Sequence, residues 1–175
     1  MRKNRALLIA AALSATCLLA KTMVDYDHSA NFAKYHTYSW VAVNVQEPLW
    51  KDRVTNAIEG QLSAKGWSKV PTGGDASVLA VGATRTEVTY ETWYGGGWGG
   101  GWYHRGWWGG PGYVETNIDR TPIGTLHIDI FDTQTKKVIW HGSSSDTLSA
   151  KPDKNEKKLE KDVTELFKKF PPTGK

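Results

Sequence analysis

The clearest fold signal in the sequence is Thr125-Leu-His-Ile-Asp-Ile-Phe-Asp132. It is followed by Thr133-Gln-Thr-Lys136 and then by Lys137-Val-Ile-Trp-His-Gly-Ser143. Leu126, Ile128 and Ile130 are separated by single residues, which is the period of a strand with one face in a core. The four residues after Asp132 suit a hairpin loop, and the chain then runs back as a second strand. The sequence therefore predicts an antiparallel pair of strands here.

Further strands and two helices extend this hairpin on both sides. β-Branched and aromatic residues predict strands over residues 35–43 and 76–93, with a short edge strand over 24–27. Apolar residues at helical spacing predict helices over 49–65 and 153–170, whose charged faces we expect to meet solvent. Together these elements predict an α+β fold. It is a two-layer sandwich of a mixed, largely antiparallel sheet with both helices packed on one face, and a Gly/Trp-rich insertion between strands.

The N-terminus has the pattern of a secretory signal. Basic residues up to Arg5 precede an apolar run that ends at Ala20, so residues 1–20 are predicted to be a signal peptide and 21–175 a single exported domain. Cys17 offers the alternative of a lipoprotein anchor, although Ser14-Ala15-Thr16 before it departs from the usual lipobox. Without Arg2, Lys3 and Arg5 the chain has 19 basic and 18 acidic residues, a net charge of +1, which does not favour nucleic acid as a partner.

Residues 93–113 form an unusual segment that contains ten of the 18 glycines and five of the nine tryptophans. Ordering so many glycines is costly, yet the indoles present large apolar faces that water disfavours. Either the loop 94–113 folds back on the open sheet face, or it forms an adhesive surface for a protein, a glycan or a membrane. The predicted contact residues of that surface are the aromatic ones, Trp98, Trp102, Tyr103, Trp107 and Trp108.

Candidate catalytic groups are few. No Gly-x-Ser-x-Gly motif occurs, the only cysteine lies in the leader, and no motif indicates a cofactor. His127 and Asp129 share one face of a strand, and His141 lies on the partner strand, where the simplest register places it on the opposite face beside Ile128. A one-residue slip of that register would complete a His-Asp-His cluster able to hold a metal, with His104 as a further candidate.

An ordered set of motifs resembles the bacterial envelope family called domain of unknown function 4136. The set covers Val24-Asp-Tyr-Asp27, Asn31-Phe-Ala-Lys-Tyr-His-Thr-Tyr-Ser-Trp40, Arg53, Ala57-Ile-Glu59, Leu62-Ser-Ala-Lys-Gly-Trp67, Asp75-Ala76, Gly124-Thr-Leu-His-Ile-Asp-Ile-Phe-Asp132, Lys137-Val-Ile-Trp-His-Gly142 and Phe170-Pro-Pro172. The resemblance implies an exported protein, often a lipoprotein, without an assigned biochemical role.

These observations favour a non-catalytic binding or assembly module in the periplasm or on the outer membrane. Its partner would be an envelope protein, a glycan or a membrane surface, and self-association is an equally open arrangement. The alternative is a periplasmic hydrolase, dependent on a metal or on carboxylates, around His127, Asp129 and His141.

Overall fold

The computed structural model describes residues 21–94 and 114–172, which form one mixed sheet and two helices. The strands are β1 (Lys21–Tyr26), β2 (Thr37–Val45), β3 (Ser68–Lys69), β4 (Ala76–Tyr94), β5 (Val114–Asp132) and β6 (Val138–Thr147), and the helices are α1 (Pro48–Ala64) and α2 (Pro152–Phe167). Across the sheet the strand order is β1-β6-β5-β4-β2-β3. The predicted α+β sandwich is confirmed.

Helix α1 follows directly from its sequence. Pro48 occupies the first turn, where a missing N–H costs nothing, and Gly66 adopts a φ of +83° just beyond the last turn. Val54, Ile58 and Leu62 recur every four residues and are buried, so one stripe of the helix faces the sheet. The helix joins β2 to β4, which lie parallel to each other, as a crossover connection does.

Helix α2 packs beside α1 on the same face of the sheet. The helix ends at Phe167, three residues earlier than predicted. Phe170, in the turn that follows, packs into the core. The rings of Phe167 and Phe170 lie 5.1 and 5.5 Å from that of Trp140, which is fully buried. Trp140 in turn covers Gly142, where an added Cβ would overlap the indole.

Both helices cover one face of the sheet, and no helix of the described residues covers the other face. On β4 and β5 the residues Val78, Ala80, Ile128 and Ile130 are fully buried, while their neighbours in sequence are less so. This alternation is the one predicted from the hairpin sequence. Strand β1 is an edge strand, as predicted, and pairs antiparallel with β6.

The described residues leave part of the sequence-based account untested. The predicted signal peptide 1–20, with Cys17, lies outside them, and so do residues 95–113 of the Gly/Trp-rich loop, with His104. The single domain predicted for 21–175 remains a prediction.

Candidate functional site

The open face of the sheet brings together three side chains that the sequence singled out. Phe131 pairs with Val138 as predicted, but a bulge then makes Ile139 an extra residue, so that Ile130 pairs with Trp140 and Asp129 with His141. The prediction that His141 faces Ile128 across the sheet is therefore wrong. The bulge supplies the one-residue slip that moves His141 to the face of Asp129.

The cluster consists of a hydrogen-bonded pair, His141 and Asp129, beside the ring of His127. Nδ1 of His141 lies 2.5 Å from Oδ1 of Asp129, and the His127 ring stacks on His141 with centroids 5.9 Å apart. The side chain of His141 is 39% exposed, so the pair meets solvent. Among residues 21–94 and 114–172, no group of three or more His, Cys, Asp and Glu side chains is arranged to hold a metal ion.

The second feature is an arm made by the distal halves of β4 and β5. These strands pair from Ala76 opposite Asp132 to Tyr94 opposite Val114. The pairing of β4 with β2 ends at Gly82, and the pairing of β5 with β6 ends at Ile123. Within the described part of the chain, residues 86–94 and 114–122 therefore form strand pairs only with each other, and at the base the Leu148 N–H donates to the Pro122 carbonyl. Nine residues at about 3.3 Å each extend the arm by about 30 Å.

One face of the arm carries exposed apolar side chains. Val88 is 41% exposed, Tyr90 67% and Ile118 54%, and Tyr90 lies directly opposite Ile118. The chain leaves the arm at Tyr94 and returns at Val114. The predicted contact residues Trp98, Trp102, Tyr103, Trp107 and Trp108 belong to the connecting segment, which is outside the described residues.

The third feature is a cleft of about 460 Å³ at the base of the arm, between the sheet and the N-terminal halves of both helices. Its apolar wall includes Trp50, Val54, Leu126, Leu148 and Leu159. Its volume lies in the range of small-molecule sites. Sequence reasoning did not locate this cleft, because its walls come from segments far apart in the chain.

The carboxylates of Glu47, Asp146 and Asp162 and the ammonium group of Lys158 line the cleft. Asp162 on α2 is only 5% exposed and lies near the Ser144 side chain. Burial, and then the nearby Asp146, raise the pKa of Asp162 to about 6. The Lys158 Nζ donates to Asp146 Oδ1 at 3.2 Å and to the Thr147 carbonyl at 2.6 Å.

The sequence-based expectation that the charged residues of α2 face solvent is wrong for Asp162. This residue lies three positions after Leu159 and four before Leu166, so it belongs to the stripe that packs on the sheet. That spacing was the signal available in the sequence. A carboxylate within an apolar helical stripe indicates either a paired buried charge or a binding site.

Comparisons with known proteins show the fold and the family. In the described residues no helix is both long and apolar enough to cross a membrane. A PDZ domain protein from Parabacteroides distasonis is similar over 88% of this chain, with 14% identity and a TM-score of 0.56, and this chain spans 35% of its length. The PelC dodecamer from Paraburkholderia phytofirmans is similar over 85% of this chain and 95% of its own, with 9% identity and a TM-score of 0.51.

No curated protein matches the sequence. Residues 22–172 match the family described as Domain of unknown function (DUF4136), in agreement with the motifs quoted from the sequence. The chain belongs to this family.

Proposed function

We propose that this protein is exported to the cell envelope and works there, in the periplasm or on the outer membrane, as a non-catalytic binding module. The observation that carries the proposal is the arm, in which residues 86–94 and 114–122 extend beyond the sheet. A two-stranded ribbon without a covering layer is marginally stable in water. A partner that covers the arm would therefore stabilise it.

The contact surface consists of the connecting segment and the apolar face of the arm. Trp98, Trp102, Tyr103, Trp107 and Trp108 belong to the segment that joins Tyr94 and Val114, the outermost described residues of the arm. Each aromatic anchor buried by a partner typically contributes roughly 1–3 kcal/mol. Val88, Tyr90 and Ile118 extend this surface toward the base.

Binding of three defined probes to the purified protein tests the proposal. The probes are isolated peptidoglycan, vesicles of phosphatidylethanolamine and phosphatidylglycerol, and envelope proteins captured by a photo-crosslinker placed within residues 95–113. Replacing Trp98, Trp102, Trp107 and Trp108 by Ser should abolish binding to whichever probe is retained, with no change in melting temperature. Leu49→Ser is the matched control, because Leu49 is 72% exposed and lies on α1.

Two outcomes would contradict the proposal. One is that the variant with four serines binds as the unmodified protein does. The other is that this variant unfolds, since the indoles would then be part of the core.

Self-association is a second arrangement of the same surface. The PelC protein with this fold is a dodecamer, which supports an assembly role for the fold without assigning one to this chain. Sedimentation velocity over a hundredfold range of protein concentration distinguishes the two arrangements. A concentration-dependent species that disappears when the four tryptophans are replaced identifies a second copy of the chain as the partner.

The alternative of a hydrolase around His127, Asp129 and His141 is supported by one observation, the bond between His141 and Asp129 on the open face. A metal-dependent hydrolase predicts stoichiometric metal in the purified protein and a loss of thermal stability with EDTA. A protein whose melting EDTA does not change would exclude the metal-dependent version.

A further inference from the structure

The cleft at the base of the arm has the features of a ligand site that does not involve the Gly/Trp-rich segment. Its volume of about 460 Å³ exceeds what one or two waters need, and its walls combine apolar side chains with a few polar ones. Trp50 from α1, Leu148 after β6 and Leu159 from α2 all contribute apolar side chains to this wall. An apolar body of moderate size fits such a surface.

The charges in the cleft do not balance. Glu47, Asp146 and Asp162 line it, against Lys158 as the only cation among the described residues that do so. The Lys158 ammonium group is already engaged with Asp146 and with the Thr147 carbonyl. None of the ion pairs in the described ranges includes Asp162, although this side chain is 95% buried.

A buried carboxylate without a cation is costly, and proteins normally pair such a group or keep it for a ligand. Asp162 has acceptor capacity for a ligand, because an ionised carboxylate offers about four lone-pair positions and the nearby Ser144 hydroxyl can fill only one of them. A ligand with a positively charged donor would complete this site and would place its apolar part against Trp50, Leu148 and Leu159.

We propose that this cleft binds a small amphipathic amine, with the ammonium group on Asp162 and the apolar body against the wall formed by Trp50, Leu148 and Leu159. Asp146 and Glu47 add to the negative potential of the cleft, and the Lys158–Asp146 pair keeps the lysine from occupying the site. The proposal does not depend on the arm or on the Gly/Trp-rich segment.

Calorimetric and NMR titrations of the purified protein test this inference. The probe is 2-phenylethylamine at pH 7.5, and the matched compounds are 2-phenylethanol, which lacks the charge, and 3-phenylpropionate, which reverses it. We expect the amine to bind at least tenfold more tightly than either of them. The shifted resonances should include the Trp50 indole and the Leu148 methyl groups.

Three carboxamide variants test where the ammonium group of the ligand binds. Asp162→Asn should weaken binding of the amine at least tenfold, whereas Asp129→Asn, on the open face of the sheet, should leave it unchanged. Asp146→Asn should also weaken binding, because it frees Lys158 within the cleft. Thermal melting of each variant confirms that it is folded before binding is compared.

The pH dependence adds an independent readout. The groups that act on the Asp162 carboxylate are Asp146, Lys158, Lys161 and the Ser144 hydroxyl. Because the pKa of Asp162 is about 6 without ligand, lowering the pH from 7.5 to 5 should weaken binding roughly tenfold. Equal binding of the amine, the alcohol and the carboxylate would overturn the proposal, as would no binding of the amine at millimolar concentration or full binding by Asp162→Asn.

Discussion

Replacing Asp162 by Asn should stabilise the protein at neutral pH, which is unusual for a polar residue of the core. The carboxylate is 5% exposed, and its pKa rises from 3.8 to about 6 on folding. A raised pKa means that the folded state binds the proton more tightly than the unfolded state does. Stability from this group is therefore fully present below pH 3.8 and is lost as the pH rises through 6.

The magnitude follows from the same shift. A difference of about two pKa units corresponds to about 3 kcal/mol at pH 7.5, where both states are ionised. Asparagine keeps the shape of the aspartate side chain, but it has no charge to bury. We therefore expect Asp162→Asn to raise the free energy of unfolding by up to about 3 kcal/mol at pH 7.5, and by less than about 1 kcal/mol at pH 4.

Urea unfolding followed by circular dichroism at both pH values measures this difference. Glu160→Gln on the exposed face of the same helix is the control, and we expect it to change stability by less than about 0.5 kcal/mol. The reasoning is refuted if Asp162→Asn destabilises the protein at pH 7.5. It is also refuted if the stabilisation is the same at pH 4, since the effect would then not come from the charge.

Three further predictions concern the core, the hairpin loop and the arm. Gly142→Ala should cost about 1–3 kcal/mol in urea unfolding, because its Cβ would overlap the buried Trp140 indole. Asp132→Asn should lower the melting temperature at pH 7. Because hydrogen bonds from Lys34, Thr135 and Tyr35 hold the pKa of Asp132 below its usual value, this loss should shrink as the pH falls below 3.8. Tyr90→Ser and Ile118→Ser should each change the free energy of unfolding by less than about 0.5 kcal/mol, since both side chains are mostly exposed.

The helices and the central hairpin could be predicted because local periodicity and burial agree there. Val54, Ile58 and Leu62 recur at helical spacing, and Ile128 and Ile130 at strand spacing, and all five are buried in the structure. The apolar spacing predicts the end of α2 at residue 170, three residues beyond the observed end at Phe167. The turn that carries Phe170 into the core depends on tertiary contacts, which the helical pattern does not contain.

The features that matter for function were harder to predict. The bulge at Ile139 leaves no local signal, yet it decides which face of the sheet His141 occupies. The sequence-based prediction makes β5 too short, because the mainly polar residues 116–120 do not alternate as a half-buried strand does; all five are exposed in the arm. Asp162 was assigned to solvent from its residue type, although its spacing from Leu159 and Leu166 places it inside.

The proposal that the Gly/Trp-rich segment binds an envelope partner is tested most directly by a variant that lacks residues 95–113 and keeps the arm. Tyr94 pairs with Val114, so replacing residues 95–113 by Asn-Gly should close the arm with a two-residue hairpin turn. We expect the melting temperature of this variant to stay within a few degrees of that of the parent protein, and its binding to the retained envelope probe to be lost. A variant that unfolds, or one that still binds the probe, would contradict it.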